Sequence, residues 1–477
     1  MMRMLITTSS VFALVGCSIV GPNYEPPTME LASQFVDGGS SSILDAIEDP
    51  WWTRLNDPLL NALIARGAAQ SLDLLGAVER IETANAALGQ TGLNAQTDGS
   101  LASSAQRQGT DGTATTTSVL QVNAGYVFDL FGGVARGQER SLADYEAAQL
   151  DVGTVRLAYL SELTNSYLQA RYYQEAAAIT RQSIASRRQT LAIVNDRRAL
   201  GDATELEVQQ ARSLLASAQA PLPVMVANFE INVFRIATLL AEPAGPLMEE
   251  LQSGAPQPRP SGFTSTGLPA DLLRNRPDVR FAERRFAAAT AAVGVAEAQL
   301  YPSLELTGSL GTGTTDRWAF GPFVSIPVLS RGLLRSRQAV AESNARGAEL
   351  SWRQSVLSAV EDVQVAMTLC RNWHRQIQHL ERASNASRNV LRLSRESYAL
   401  GEVTLTEVLD AERINASNRL SLADATRNYA VSWMQVQVAT GRGWRVEGLT
   451  GSGEVAAPEL VEDPLGLEGT QFAFAPG

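Results

Sequence analysis

Two cysteines and two histidines are all that this 477-residue chain holds of the commonest metal-binding side chains. Two cysteines build neither a disulfide framework nor a zinc knuckle. His374 and His379 stand five positions apart, on different faces of a helix, so no metal pair is expected. Cys370 stands alone and reads as a small buried residue rather than a nucleophile. The nucleophile-elbow pattern G-x-S-x-G is absent. The glycine-rich "GTGTTD" at Gly311 lacks the lysine of a phosphate loop and reads as a turn. No catalytic constellation remains, so the chain is not read as an enzyme and no cofactor or metal is called for. A net charge of -11 argues against nucleic acid as a partner, because phosphate binding needs a basic face. Aromatics are only 6%, which suits closely packed helices better than a bulky core. Beyond the N-terminus no run approaches about 18 consecutive apolar residues, so a membrane would have to be crossed by strands closed into a barrel.

What is present begins at the N-terminus. "MMRMLITTSSVFALVGCS" is a short positive region, an apolar stretch and a lipobox, so residues 1–16 read as a signal peptide and Cys17 as the lipidated first residue. Ser18 follows, without the aspartate that would retain a bacterial lipoprotein at the inner membrane. One modified terminus gives an anchor in outer-membrane lipid, not a span. Residues 17–50 read as an extended tether. Leu59, Leu60, Leu63 and Ile64 then form a helical stripe, and Leu72, Leu75, Val78 and Ile81 are expected to continue it.

Near Asn94 the texture changes. In "SVLQVNAGYVFDL" Leu120, Val122, Ala124, Tyr126 and Phe128 fall on one side, with the mostly polar Gln121, Asn123 and Gly125 on the other. That alternation fits a strand that is apolar outside and wet inside. A first hairpin is expected over about 97–130 and a second over about 302–330. After each comes a long proline-free stretch, Val134 to Leu200 and Leu333 to Leu400. Each would reach about 100 Å as a helix. Val356, Val360, Val363 and Met367 have coiled-coil spacing.

Each long stretch ends in the same phrase, "ALGDATELEV" from Ala199 and "ALGEVTLTEV" from Ala399. Gly201 and Gly401 suit a helix stop. Thr204 with Glu207, and Thr404 with Glu407, form the T-x-x-E box of a helix start. The phrase is a helical hairpin tip, at 199–204 and 399–404. A gap-free 200-residue offset also matches Arg188 with Arg388, Leu191 with Leu391 and Asn228 with Asn428. The chain is therefore an internal duplication, with a first repeat over 51–245, a second over 246–445 and a tail over 446–477. The tail is expected to be flexible or wrapped outside the helices. Pro221 and Pro223 should end or kink the first returning helix.

Four strands cannot close a barrel, since the smallest kind has eight. The chain must oligomerise, each copy donating a sector. "LRNRPDVRFAERRFAAATAAVGVAEAQLYPSLELTGSLG", with "VGPNYEPP", "DPLLNALI", "VFDLFGG" and "LDAERINAS" in order, resembles the TolC-like outer-membrane factors. The likeness is to the lipoprotein branch that serves resistance-nodulation-division efflux pumps, and it covers nearly the whole chain. It implies a mixed α and β fold: a homotrimer with a twelve-stranded transmembrane β-barrel continuing into a long α-helical coiled-coil barrel. It implies an exit duct in the outer membrane of a Gram-negative bacterium, working with a periplasmic adaptor and an inner-membrane transporter of that class. The helix tips, at Leu200, Gly201, Thr204, Leu400, Gly401 and Thr404, would then face the adaptor.

The resemblance also implies a periplasmic gate, with Asp410 and Arg413 at the family's aspartate and arginine. Thr406 stands where relatives place an apolar plug, which weakens a greasy closure. Three Asp410 carboxylates near one axis would repel each other and attract cations. The plainer reading of the residues is a solvated Asp410–Arg413 pair on one helix, worth a few tenths of a kcal/mol. Small molecules such as drugs or toxic compounds are the expected cargo. Export of protein or metal ions is the alternative, though no methionine-rich stretch favours soft metals. A lipid-tethered periplasmic coiled-coil scaffold is a third reading.

Overall fold

The computed structural model describes residues 19–36, 38, 46–110, 112–261, 266–313 and 316–445. Cys17, the signal sequence and the segment from Val446 lie outside the described residues. The order of elements is written twice. Short helices α1 (Pro58–Gln70), α2 (Leu72–Leu88) and α3 (Leu93–Gln96) lead into strands β1 (Thr97–Thr110) and β2 (Thr113–Phe128). The long α4 (Gly133–Ala199) then returns through α5 (Glu205–Gln219) and α6 (Leu222–Leu239). The second pass runs α7 (Ala244–Gln252), α8 (Leu272–Asn275), α9 (Pro277–Ala298), β3 (Ser303–Thr312) and β4 (Arg317–Ser325). It ends with α10 (Arg331–Ala399) and α11 (Leu405–Ala439).

The four strands form one antiparallel sheet in chain order, which leaves an open edge on β1 and another on β4. Both hairpin turns lie at one end of the sheet and all helices leave from the other. At the leaving end Asp129 Oδ2 accepts the Ala135 amide at 2.8 Å and caps the first turn of α4.

α4 has 67 residues and α10 has 69. Each is about 100 Å long at 1.5 Å per residue. α10 carries a heptad seam that packs on α8 and α9 toward the sheet and on α11 toward the tip. Val356, Val363, Cys370, Ile377, Ser384, Leu391 and Tyr398 are all buried at intervals of seven. Ala359 and Ala366 fill the intermediate seam positions, while Val360 and Met367 sit on its partly buried flank. Small side chains at half the seam let the helices approach closely.

At both tips the chain closes a Schellman turn. Gly201 is at φ +87° and Gly401 at φ +80°, in the left-handed region that glycine adopts without strain. The Asp202 amide donates to Arg197 O at 2.8 Å, and Glu402 repeats it on Ser397 O at 2.9 Å. The next helix starts with a capping box: the Thr204 amide donates to Glu207 Oε2 at 2.6 Å, and the Glu207 amide to Thr204 Oγ1 at 3.3 Å. The Thr404 amide donates to Glu407 Oε2 at 2.7 Å. α11 then runs unbroken for 35 residues, whereas its counterpart is interrupted at Ala220 and Pro221. Pro221 and Pro223 lack the amide hydrogens that an unbroken helix would use there.

The main core lies at mid-length, where Trp51, Leu60, Leu63, Tyr167, Ile236, Leu240 and Trp433 meet. Here the expected α2 stripe is corrected. Leu72 and Leu75 are exposed, and Leu74, Ala77 and Ile81 are the buried residues. Ser71 is extended at ψ 124°, so α2 does not inherit the rotational phase of α1. The "NRPDVR" segment is tied in by Arg276. It bonds both carboxylate oxygens of Asp278, at 3.0 and 2.7 Å, and reaches Asp362 Oδ2 at 3.0 Å and Ala439 O at 3.2 Å. Burial works to lower its pKa, but the two carboxylates outweigh burial and hold it above the usual arginine value.

Residues 19–36 are extended as expected of a tether, yet they are packed rather than free. Tyr24 lies on Ala143, Ala287 and Ala288, and Phe35 is buried against Leu272, Val279 and Trp352.

Candidate functional site

The sheet separates two chemistries. One row across it reads Leu101, Val122, Leu310, Trp318, and a second reads Phe128, Leu304, Val324. Between them on the same face lie Ala124 and Phe320, then Tyr126 and Leu306. The row directly behind reads Ser100, Asn123, Ser309, Ala319, with Gln121, Thr307 and Glu305 on the same mostly polar side, where Val127 and Phe323 flank Glu305. Leu101, Leu310, Trp318 and Phe320 are strongly exposed in the single chain. An apolar row of this kind is what a lipid-facing wall needs.

The helical part is a four-helix sector. α11 packs between α10 and α4, and α4 also carries α5 and α6. Its two sides end in unpartnered apolar residues: Leu333, Val340, Leu350, Leu357 and Val365 on α10, and Val224, Ile231 and Phe234 on α6. These two patches differ in sequence, so contact between them is heterologous and closes a ring if the rotation allows. The α5–α6 run, Glu205–Leu239, is long and apolar enough to cross a membrane by length and composition. It nevertheless carries Arg235, ion-paired with Glu162 of α4 at 2.5 Å, and it packs along α4 at one side of the sector.

At the tips, Leu200 and Leu400 are exposed at the turns, with Gly201, Thr204, Gly401 and Thr404 beside them. Thr406, Asp410 and Arg413 share one exposed face of α11. Arg413 Nη2 and Nε donate to Asp410 Oδ1 at 2.6 and 3.2 Å. The side chains are 51% (Asp410) and 63% (Arg413) exposed, so the pair contributes at most about 1 kcal/mol.

The stronger electrostatics lie on the opposite face. Glu412 is about 200° round the helix from Asp410 and is only 2% exposed. Its Oε1 accepts from Thr190 Oγ1 at 2.7 Å, Ser186 Oγ at 3.2 Å and Arg395 Nη2 at 2.7 Å. Arg395 also donates to Ser186 Oγ. Arg187 Nε stands 3.9 Å from the other Glu412 oxygen, and its Nη1 donates to Leu214 O at 2.7 Å. Burial lowers the Arg187 pKa below the usual value, partly offset by Glu412. One carboxylate thus binds α11 to both α4 and α10. Below it Val194, Val208, Tyr398, Leu405 and Val408 form a small separate core, with the Arg197 guanidinium 4.7 Å over the Tyr398 ring.

Reading the sequence missed this network, although a signal was present. Across the 200-residue offset Glu412 faces Arg212, Arg395 faces Asn195 and Arg187 faces Ser387. Charge is reversed at the first pair and present in only one copy at the other two, as it is at Asp410 and Gln210.

Elsewhere the polar inventory is structural. Burial pushes the Cys370 thiol up to about 11, with a hydrogen bond to Ser432 in partial opposition, so it stays protonated within the seam. His374 lies against the Tyr429 ring. Among the described residues no group of three or more His, Cys, Asp or Glu side chains is placed to hold a metal ion.

A sheet with one apolar and one polar face, prolonged by paired helices of about 100 Å, defines a sector of an outer-membrane channel. The family described as outer membrane efflux protein matches residues 63–242 and 268–442. The chain belongs to that family, and it is a TolC-like channel component of the outer membrane, not an enzyme. It is 36% identical over 461 residues to nodulation protein T of Rhizobium leguminosarum bv. trifolii, covering 93% of this chain and 98% of the relative. It is 30% identical to the pyoverdine export outer membrane protein OpmQ of Pseudomonas putida, over 89% of this chain and 95% of the relative. The solved outer-membrane channel OprN superposes with a TM-score of 0.81 at 30% identity, over 89% of this chain and 99% of that one.

Proposed function

We propose that three copies of this chain form a twelve-stranded barrel and helical tunnel that serve as a passive exit duct for small molecules. The observation that carries this is the four-stranded sheet, with two chemically distinct faces and two open edges that only further copies can satisfy. The unpartnered apolar sides of α10 and α6 support the same ring in the helical part. The name of the pyoverdine export relative supports a small-molecule cargo. A periplasmic scaffold would leave the apolar row of the sheet in water without a role, and no observation favours protein or metal-ion export.

Cys17 carries the lipid anchor in this reading. The exposed leucines at the tips meet a periplasmic adaptor, which links the duct to an inner-membrane transporter of the resistance-nodulation-division class. Asp410 with Arg413 lines the closed periplasmic end, and the Glu412 network holds α11 in that closed position from behind.

The test is conductance of the purified protein in planar bilayers. The duct predicts a trimer that conducts ions. Asp410→Asn is expected to reduce cation preference and, with Arg413→Ala, to raise open probability several-fold. A conducting trimer with unchanged selectivity would remove Asp410 from the gate but leave the duct. No trimer and no conductance, in wild type and variants alike, would end the duct reading. On intact cells an impermeant maleimide should label a cysteine placed in the β1–β2 turn at Gly112 and leave one at Leu400 unlabelled.

A further inference from the structure

The N-terminal segment carries a site that the channel function does not use. Arg136, in the first turn of α4, is 5% exposed, and three of its guanidinium hydrogen bonds go to residues 20–23. Its Nε donates to Val20 O at 3.1 Å. Its Nη2 donates to Gly21 O at 3.2 Å and to Asn23 Oδ1 at 2.7 Å. Nη1 is balanced by Glu139 Oε2 at 2.7 Å. From the other side the Val20 amide donates to Phe131 O at 3.1 Å, in the turn that joins β2 to α4.

Three glycines make room for this contact. A Cβ on Gly132 would stand 2.7 Å from Ile19 Cγ2, and one on Gly294 would stand 2.8 Å from Arg136 Cγ. Gly21 is at φ +87°, and a Cβ there would collide with the Gly294 backbone. Farther on, Tyr24 Oη donates to Glu283 Oε1 at 2.9 Å, with the Arg284 guanidinium 5.3 Å over its ring. Two elements far apart in sequence, α4 and α9, therefore share one seat for five extended residues.

We propose that Ile19–Asn23 is a docked strap and that Arg136 is the positioning residue that seats it at the strand-to-helix junction. Cys17 precedes Ile19 by two residues, at most about 7 Å of chain. The seat therefore delivers the acyl chains to the foot of the barrel wall instead of leaving them on a loose tether. The proposal rests on lipidation of Cys17 but has its own signature.

The test places the photo-crosslinker p-benzoylphenylalanine at position 19 of the full-length protein in outer membranes. Wild type should crosslink within its own chain to residues 129–134. Arg136→Ala should lower that yield about tenfold, and hydrogen exchange across 19–24 should rise by a similar factor. Arg136→Lys reaches fewer of the three acceptors and should restore the yield only in part. Gly21→Ala lifts the strap without touching Arg136 and should lose the crosslink too, so a fold defect in one variant leaves the other decisive. The proposal is overturned if both Arg136→Ala and Gly21→Ala crosslink at wild-type yield. A wild-type N-terminal peptide lacking acyl mass sinks the lipid reading instead, and leaves the seat standing.

Discussion

Glu412→Ala should loosen the helix tips far more than any change to the exposed gate pair. The substitution removes a buried carboxylate and strands its partners. Arg395 and Arg187 lose their counter-charge, and Thr190 and Ser186 lose an acceptor. Breaking a buried pair by removing one member typically costs about 3–5 kcal/mol, because the remaining charge stays desolvated. Removing Asp410 or Arg413 alone forfeits at most about 1 kcal/mol, since both side chains are more than half exposed. The loss should stay local, because the tip core of Val194, Val208, Tyr398, Leu405 and Val408 is separate from the mid-length core. Hydrogen exchange over 186–197 and 395–415 should speed up by at least about a hundredfold, with peptides around Trp433 unchanged. Bilayer recordings should show a channel open most of the time. Glu412→Gln keeps an acceptor but not the charge, and should fall between. Wild-type exchange and closure in Glu412→Ala would show that α11 is held by its seam alone.

What the sequence revealed follows the range of the forces involved. The stops at Gly201 and Gly401 and the boxes at Thr204 and Thr404 are readable because their causes lie within about six residues. The alternation in β2 is readable because a pleated strand puts successive side chains on opposite faces. The α10 seam was legible in outline only. Val356 and Val363 show the period, but the buried partners Ala359 and Ala366 are too small to stand out in an alanine-rich helix.

Three features could not be read, each for a tertiary reason. The phase of α2 depends on one extended residue, Ser71. The burial of Glu412 depends on α4 and α10 closing over it, while the gate motif itself consists of its exposed neighbours Asp410 and Arg413. The strap carries the Pro, Gly and Asn composition of a free linker, while its contacts at Arg136 and Glu283 lie more than a hundred residues downstream. In every case the missing information was which element lies opposite.

The orientation of the sheet yields the second large effect. Leu310 lies in the row Leu101, Val122, Leu310, Trp318, and Ser309 lies in the row directly behind. If the first row faces lipid, Leu310→Arg places a guanidinium at barrel-wall depth at a cost of about 2–4 kcal/mol. A threefold barrel incurs that cost in every chain at once. The yield of heat-resistant trimer in outer membranes should therefore fall by well over tenfold. Ser309→Arg makes the same chemical change one position away, but on the wet side. There the guanidinium keeps its water, the trimer yield should match wild type, and three added positive charges should shift ion preference toward anions. Neighbouring residues share backbone, propensity and depth, so only the face differs between the two variants. Equal yields for both would mean that neither face meets lipid, and reversed yields would mean that the polar row faces outward. Either result would dismantle the barrel as drawn, whereas loss confined to Leu310→Arg requires a wall that is apolar outside and wet within.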